Sequence, residues 1–241
     1  MLIEPYTPKV LIVIPTYNEA DNLEPITAAA LASAPGVHIL VVDDNSPDGT
    51  GAIADRLAAE QDAIHVLHRT SKDGLGRAYL AGFAWALDRD YDVIIEMDAD
   101  FSHDPTYLLP MIRATHDYDL VIGSRYVEGG GTQDWGITRR LVSQGGGLYA
   151  RTVLGVGIRD LTAGFMAWRR TVLEAIDLQR VEAHGYGFQI EMKYRASCMG
   201  FRILEIPIQF PDRTIGQSKM SSSIFAEALG LVWRLRLNNN G

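Results

Sequence analysis

The chain has 241 residues, 47% of them hydrophobic, with 22 lysines and arginines set against 30 aspartates and glutamates. That length and composition supply the core of one large domain or two small ones, and a formal charge of -8 excludes a nucleic-acid groove as the main business of the surface. A single cysteine, Cys198, excludes an internal disulfide and fits a reducing cytosol.

In chain order, the N-terminal MLIEPYTPKV has neither a basic n-region nor a long apolar stretch, so no secretory signal is expected. Continuous apolar runs then alternate with segments of helical period. VLIVI precedes EADNLEPITAAALASA, HILVVDD precedes GAIADRLAAEQD, and IHVLHR precedes GRAYLAGFAWALDRD. YDVIIEMDAD precedes PTYLLPMIRATHD, and LVIGSR follows. Such alternation predicts an α/β fold, a Rossmann-like and mostly parallel sheet flanked by helices, with ligands at the carboxyl ends of the strands.

After Arg125 the rhythm changes to a glycine-rich loop, EGGGTQDWG, a helical stretch over Thr138–Val153, and a strand-like FRILEIPIQF. These are expected to complete the same domain with an antiparallel element. Near the end, Ile224, Phe225, Leu229, Val232, Trp233 and Leu237 recur at helical spacing beside Arg234 and Arg236. That segment is too short and too charged to span a bilayer; it suits either a membrane-surface helix or a helix packed on the domain.

The chemistry gathers where the strands run out: PTYNE after the first, DDNSPDGT after the second, DAD (Asp98–Asp100) after the fourth, GSRY after the fifth. Taken singly, each is a turn. Asp104 and Pro105, for instance, form an N-cap and first-turn pair for the next helix. Together they line one edge. If strand geometry persists, Asp98 and Asp100 at i and i+2 point the same way and can present oxygens to one divalent cation. The first turn lacks a G-x-G-x-x-G and the chain lacks a G-x-x-x-x-G-K-[ST] loop. A pyrophosphate must therefore be held by metal and by cations such as Arg125, Arg139, Arg140, Arg213 and Lys219.

VLIVIPTYNEADNL, VVDDNSPDGT, DADFSHDP, GSRYVEGG, DLTAGFMAWRR, GYGFQIEM and DRTIGQSKM, in that order, resemble the polyprenol (dolichyl) phosphate mannose synthases, inverting family 2 glycosyltransferases. The likeness runs from Val10 to about Ser222. It implies a GT-A catalytic domain over 1–223, with 224–241 an amphipathic segment or frayed tail. It also implies transfer of mannose from GDP-mannose to a polyprenyl monophosphate with inversion. On this resemblance Pro15, Tyr17, Glu19, Val42 and Asp44 cradle the guanosine. Asp98, Ala99 and Asp100 face diphosphate, sugar and a divalent ion, Mg²⁺ or Mn²⁺, with Asp98 and Asp100 as ligands. Arg125, Arg213 and Lys219 hold phosphates, and Arg139 and Ser143 take the acceptor phosphate; Asp98, Asp100 and Arg125 carry catalysis.

Two departures stand out. Some relatives have Gln where this chain has Ser102, and many end in transmembrane helices. The chain is therefore expected in the cytoplasm, peripheral on the cytosolic face of a membrane, through its own surface or a membrane-protein tether. Three rivals use the same residues: a sister enzyme taking another sugar nucleotide such as UDP-glucose, a metal-dependent nucleotidyl- or phosphoryl-transferase, and a non-catalytic nucleotide-binding module that recruits a membrane partner.

Overall fold

A computed structural model of the chain describes residues 6–133, 136–181, 186–211 and 230–237, without the side chains of 137–142 and 186. The expected alternation is present. β1 (Val10–Thr16), β2 (His38–Asp43), β3 (Ile64–His68), β4 (Val93–Glu96) and β5 (Leu120–Ser124) are separated by α1 (Ala20–Ser33), α2 (Thr50–Glu60), α3 (Leu75–Leu87) and α4 (Leu108–Ala114). β6 (Gly131–Thr132), α5 (Ile137–Leu154), β7 (Met166–Arg169), α6 (Arg170–Ala175), α7 (Tyr186–Cys198), β8 (Ile203–Pro207) and β9 (Gln209–Phe210) follow. Residues 230–237 are helical.

The main sheet runs β3-β2-β1-β4-β7-β5-β8, and β6 pairs with β9 in a small parallel sheet. Its strands are apolar on both faces because both are covered. Leu11, Val13, Leu40, Val42, Ile94 and Ile122 face one core with Tyr79 and Phe83 of α3, Ala150 and Leu154 of α5, and Phe188 of α7. The alternate residues Val10, Ile12, Ile14, Ile39, Val93 and Ile95 face the other, under α1, α2 and α4. Helix and sheet approach closely where Gly82 meets β1: a Cβ there would lie 2.5 Å from a Val13 methyl, so only glycine fits.

The antiparallel element of the second half is β7, wedged between β4 and β5. FRILEIPIQF divides rather than forming one strand: β8 extends the main sheet beside β5, whereas β9 leaves it for β6. The helix expected after strand 4 opens with a 3-10 turn, Pro105–Tyr107, capped as expected by Asp104, whose carboxylate accepts the Thr106 N–H at 2.9 Å. One expectation fails. The fourth strand ends at Glu96, so strand geometry does not carry through to Asp98 and Asp100. The boundary expected at 223/224, and Ile224, Phe225 and Leu229, lie outside the described residues.

Candidate active site

Among the described residues, three other than glycine adopt positive φ: Asn18 at 61°, Asn45 at 57° and Phe101 at 60°. Each follows the carboxyl end of a strand, β1, β2 and β4 in turn. Asparagine tolerates this left-handed region; a phenylalanine there costs about 1–3 kcal/mol and persists only where its surroundings impose it. The irregular backbone marks the edge where the sequence places its polar motifs.

On the β1–β2 side, Pro15 pairs in register with Val42, and the Asp44 N–H reaches the Thr16 carbonyl at 3.0 Å. The two aspartates of DDNS divide their work. Asp43, 2% exposed, accepts from the Thr16 hydroxyl at 3.2 Å and from the Ser46 hydroxyl at 2.5 Å, which builds the turn. Asp44 instead meets Arg69 Nη1 at 2.5 Å; burial raises its pKa and the guanidinium opposes that. Glu19 accepts from the Asn22 amide at 2.8 Å, and Lys72 sits 3.7 Å over the Tyr17 ring. Val42 is buried in the core, so its side chain is closed to a ligand. Arg69 and Lys72 are absent from the sequence-derived set, although HRTSKDG after strand 3 is a polar cluster on the same edge.

Past β4, a turn rather than a strand aims the carboxylates. The buried Tyr79 hydroxyl donates to Asp98 Oδ1 at 3.2 Å, and the Asp98 N–H donates to His103 Nδ1 at 2.9 Å. The Ser102 N–H donates to Asp100 Oδ1 at 3.1 Å. Ala99 between them is 3% exposed. The donor set suits a hard divalent ion: two carboxylates, and near Asp100 in sequence the buried Ser102 hydroxyl, which has no hydrogen-bond partner among the described residues. Among the described residues, no group of three or more histidine, cysteine or carboxylate side chains is placed to hold a metal.

Arg125 follows directly on β5 and is buried. Its Nε and Nη2 bracket the carboxylate of Asp160 at 2.8 and 2.7 Å, and Nη2 also reaches the Thr162 hydroxyl at 2.7 Å. Burial alone would raise the Asp160 pKa, but the charge and hydrogen bonds of Arg125 outweigh it and the value is lowered. Asp160 is the aspartate of DLTAGF, and its role is visible only once the chain is folded. Beneath the edge, burial raises the Glu96 pKa to about 7 against hydrogen bonds from Gln189 and Trp168. Burial also lowers that of Lys193 to about 8, while its ammonium donates to the carbonyls of Leu161 and Ala163 at 3.0 and 2.6 Å.

Tyr126, next to Arg125, shares a 2.6 Å hydrogen bond between its hydroxyl and that of Ser143, which ties α5 to the same edge. Arg139 lies in the first turn of α5, with its side chain outside the described residues. Arg213 and Lys219 are outside them altogether. The site thus brings together Pro15, Tyr17, Glu19, Asp44, Asp98, Asp100, Arg125 and Ser143 on elements that meet at one sheet edge.

Residues 11–177 match the family model described as glycosyl transferase family 2. The chain is 52% identical over 227 residues to the undecaprenyl-phosphate mannosyltransferase of Micrococcus luteus, covering 94% of this chain and 93% of that protein. It is 53% identical over 234 residues to the polyprenol monophosphomannose synthase of Mycolicibacterium smegmatis, covering 95% and 88%. Glucosyl-3-phosphoglycerate synthase from Mycobacterium tuberculosis, solved with Mn²⁺, UDP and glucosyl-3-phosphoglycerate, superposes with a TM-score of 0.66 at 18% identity over 96% of this chain and 80% of that one, a likeness of fold. The chain belongs to glycosyl transferase family 2, and within it to the polyprenol phosphate mannose synthases, with a GT-A fold.

Proposed function

We propose that the chain transfers mannose from GDP-mannose to a polyprenyl monophosphate with inversion at the anomeric carbon, releasing GDP. What carries the reading is its 52% and 53% identity, over nearly the whole length, to relatives named for making mannosyl polyprenyl phosphates. The strand-edge geometry supports it. Asp44, Tyr17 and Glu19 form the nucleoside side, and Asp98 and Asp100 would hold Mg²⁺ or Mn²⁺. Bound there, the ion supplies positive charge for the leaving diphosphate.

The protein's own work is alignment. An oxygen of the acceptor phosphate attacks the anomeric carbon from the face opposite GDP. The C1–O bond to the diphosphate breaks as the new bond forms. A phosphate monoester, with a second pKa of about 6, is already anionic at neutral pH, so no side chain need remove a proton. Arg213 and Lys219 supply charge to the departing phosphates and Arg125 a fixed direction of hydrogen bonding, while Arg139 and Ser143 hold the attacking one in line. The acceptor's apolar tail calls for a membrane. The exposed apolar and basic side chains of α5 and 230–237 would rest the enzyme on the cytosolic face.

The test is transfer of labelled mannose from GDP-mannose into organic-extractable lipid, with polyprenyl phosphate added and divalent ion present or chelated. Metal-dependent label that GDP suppresses and UDP does not is the expected result. Suppression by UDP instead would replace this donor with a uridine nucleotide sugar. GDP binding without label in the lipid would rule out the acceptor as given.

A further inference from the structure

Asp98 and Asp100 lie beyond Glu96, where β4 ends, on a turn whose shape the sheet does not set. An unsupported turn would let each carboxylate rotate, and ordering it on ligand binding would oppose affinity. Among the side chains that contact Asp98, one comes from α3 and one from the turn's own far side.

Tyr79 is fully buried on α3, with its ring centroid 6.1 Å from Phe188 at an interplanar angle of 5° and 6.2 Å from Phe83. These contacts leave the phenol a fixed direction, and its hydroxyl donates to Asp98 Oδ1 at 3.2 Å. His103, 2% exposed, stacks on Phe165 at 4.8 Å and 11° and meets the edge of Phe210 at 5.8 Å. Its Nδ1 accepts the Asp98 backbone N–H at 2.9 Å, which places the ring proton on Nε2. One contact sets the carboxylate; the other sets the backbone that bears it. Between them lies Phe101, at the φ of 60° that the turn requires.

We infer that Tyr79 and His103 are positioning residues of the Asp98–Asp100 pair, holding it in the geometry that receives a divalent cation bound with a nucleoside diphosphate. The inference rests on the metal reading above. Both side chains are buried beneath the turn, so their loss should weaken cation binding before it changes anything else.

The experiment measures Mn²⁺ binding by paramagnetic resonance with GDP saturating, alongside metal-free GDP affinity and melting temperature. Tyr79→Phe keeps the aromatic stack and removes one hydrogen bond to a charged group. It should bind Mn²⁺ roughly tenfold more weakly, with GDP affinity and melting temperature near those of the unmodified chain. His103→Asn retains an acceptor at the position of Nδ1 and should hold Mn²⁺ within about threefold of the unmodified chain, whereas His103→Leu, with no acceptor, should lose about tenfold or more. Wild-type Mn²⁺ affinity in Tyr79→Phe would overturn the inference and leave the metal reading intact. Absence of Mn²⁺ binding by the unmodified chain would overturn both. Because Tyr79→Phe leaves the packing unchanged, it decides the matter even if His103→Leu fails to fold.

Discussion

Arg125 reaches the site already engaged. With Nε and Nη2 on Asp160 and the Arg125 N–H on the same carboxylate at 3.0 Å, the guanidinium cannot swing as a surface arginine does. As a unit the pair is close to neutral, so Arg125 contributes direction more than net charge. The backbone around Asp160 is held in turn: Glu205 of β8 accepts the N–H groups of Arg159 and Asp160 at 2.7 and 2.9 Å. Breaking such a pair from one side strands a buried charge. Asp160→Asn should therefore lower the unfolding free energy by about 3–5 kcal/mol, measured by urea denaturation. A loss below about 1 kcal/mol, the range of exposed pairs, would show that the pair is not insulated from water.

At the scale of elements, α5 and the helical residues 230–237 form one surface. Val232 is buried in the same core as Ala150 and Leu154 of α5, and a Cβ on Gly155, the left-handed cap that ends α5, would lie 3.9 Å from Arg236. Outward, Leu148, Trp233 and Leu237 are 58%, 53% and 66% exposed. Neither stretch contains a carboxylate, though the chain as a whole has 30 acidic residues. Apolar side chains amid Arg151, Arg234 and Arg236 suit an anionic lipid surface. The double variant Trp233→Glu/Leu237→Glu should float with anionic vesicles about fivefold less than the unmodified chain. Equal flotation would take this surface out of membrane docking, and no flotation of either protein would leave a partner as the tether. No helix among the described residues is long and apolar enough to cross a membrane.

For the whole molecule, the buried charges beneath the sheet edge make stability depend on pH in a defined direction. The Lys193 pKa falls from the ordinary 10.5 to about 8 on folding. Between those values the unfolded chain binds the proton and the folded chain does not, so its contribution to stability rises as pH rises from 8 toward 10.5. Below 8 both states are charged, and the cost of burying the ammonium is felt in full. Urea denaturation of the unmodified chain and of Lys193→Met across pH 8–10 should show the difference shift in favour of the unmodified chain, by about 2 kcal/mol at most. A difference that stays flat would mean the ammonium is solvated in the fold.

Much of this was readable along the chain because it depends on local order. Apolar runs that alternate with helical period dictate a covered parallel sheet, and a covered parallel sheet leaves only its carboxyl edge for polar motifs such as PTYNE, DDNS and DAD. Asp104 and Pro105 could be assigned to a cap from their spacing alone. Partner choice could not. Arg125 finds Asp160, and Tyr79 finds Asp98, across separations of 35 and 19 residues that no periodicity records. β7 enters antiparallel between β4 and β5 because the chain's path brings it there, and its four residues carry no mark of direction. Likewise Asp43 and Asp44 are indistinguishable as neighbours in sequence, yet one closes a turn and the other meets Arg69. Composition and period decide which residues are buried and on which edge chemistry collects; only the tertiary structure decides which charges face each other, because hydrogen bonds and ion pairs depend on distances in space.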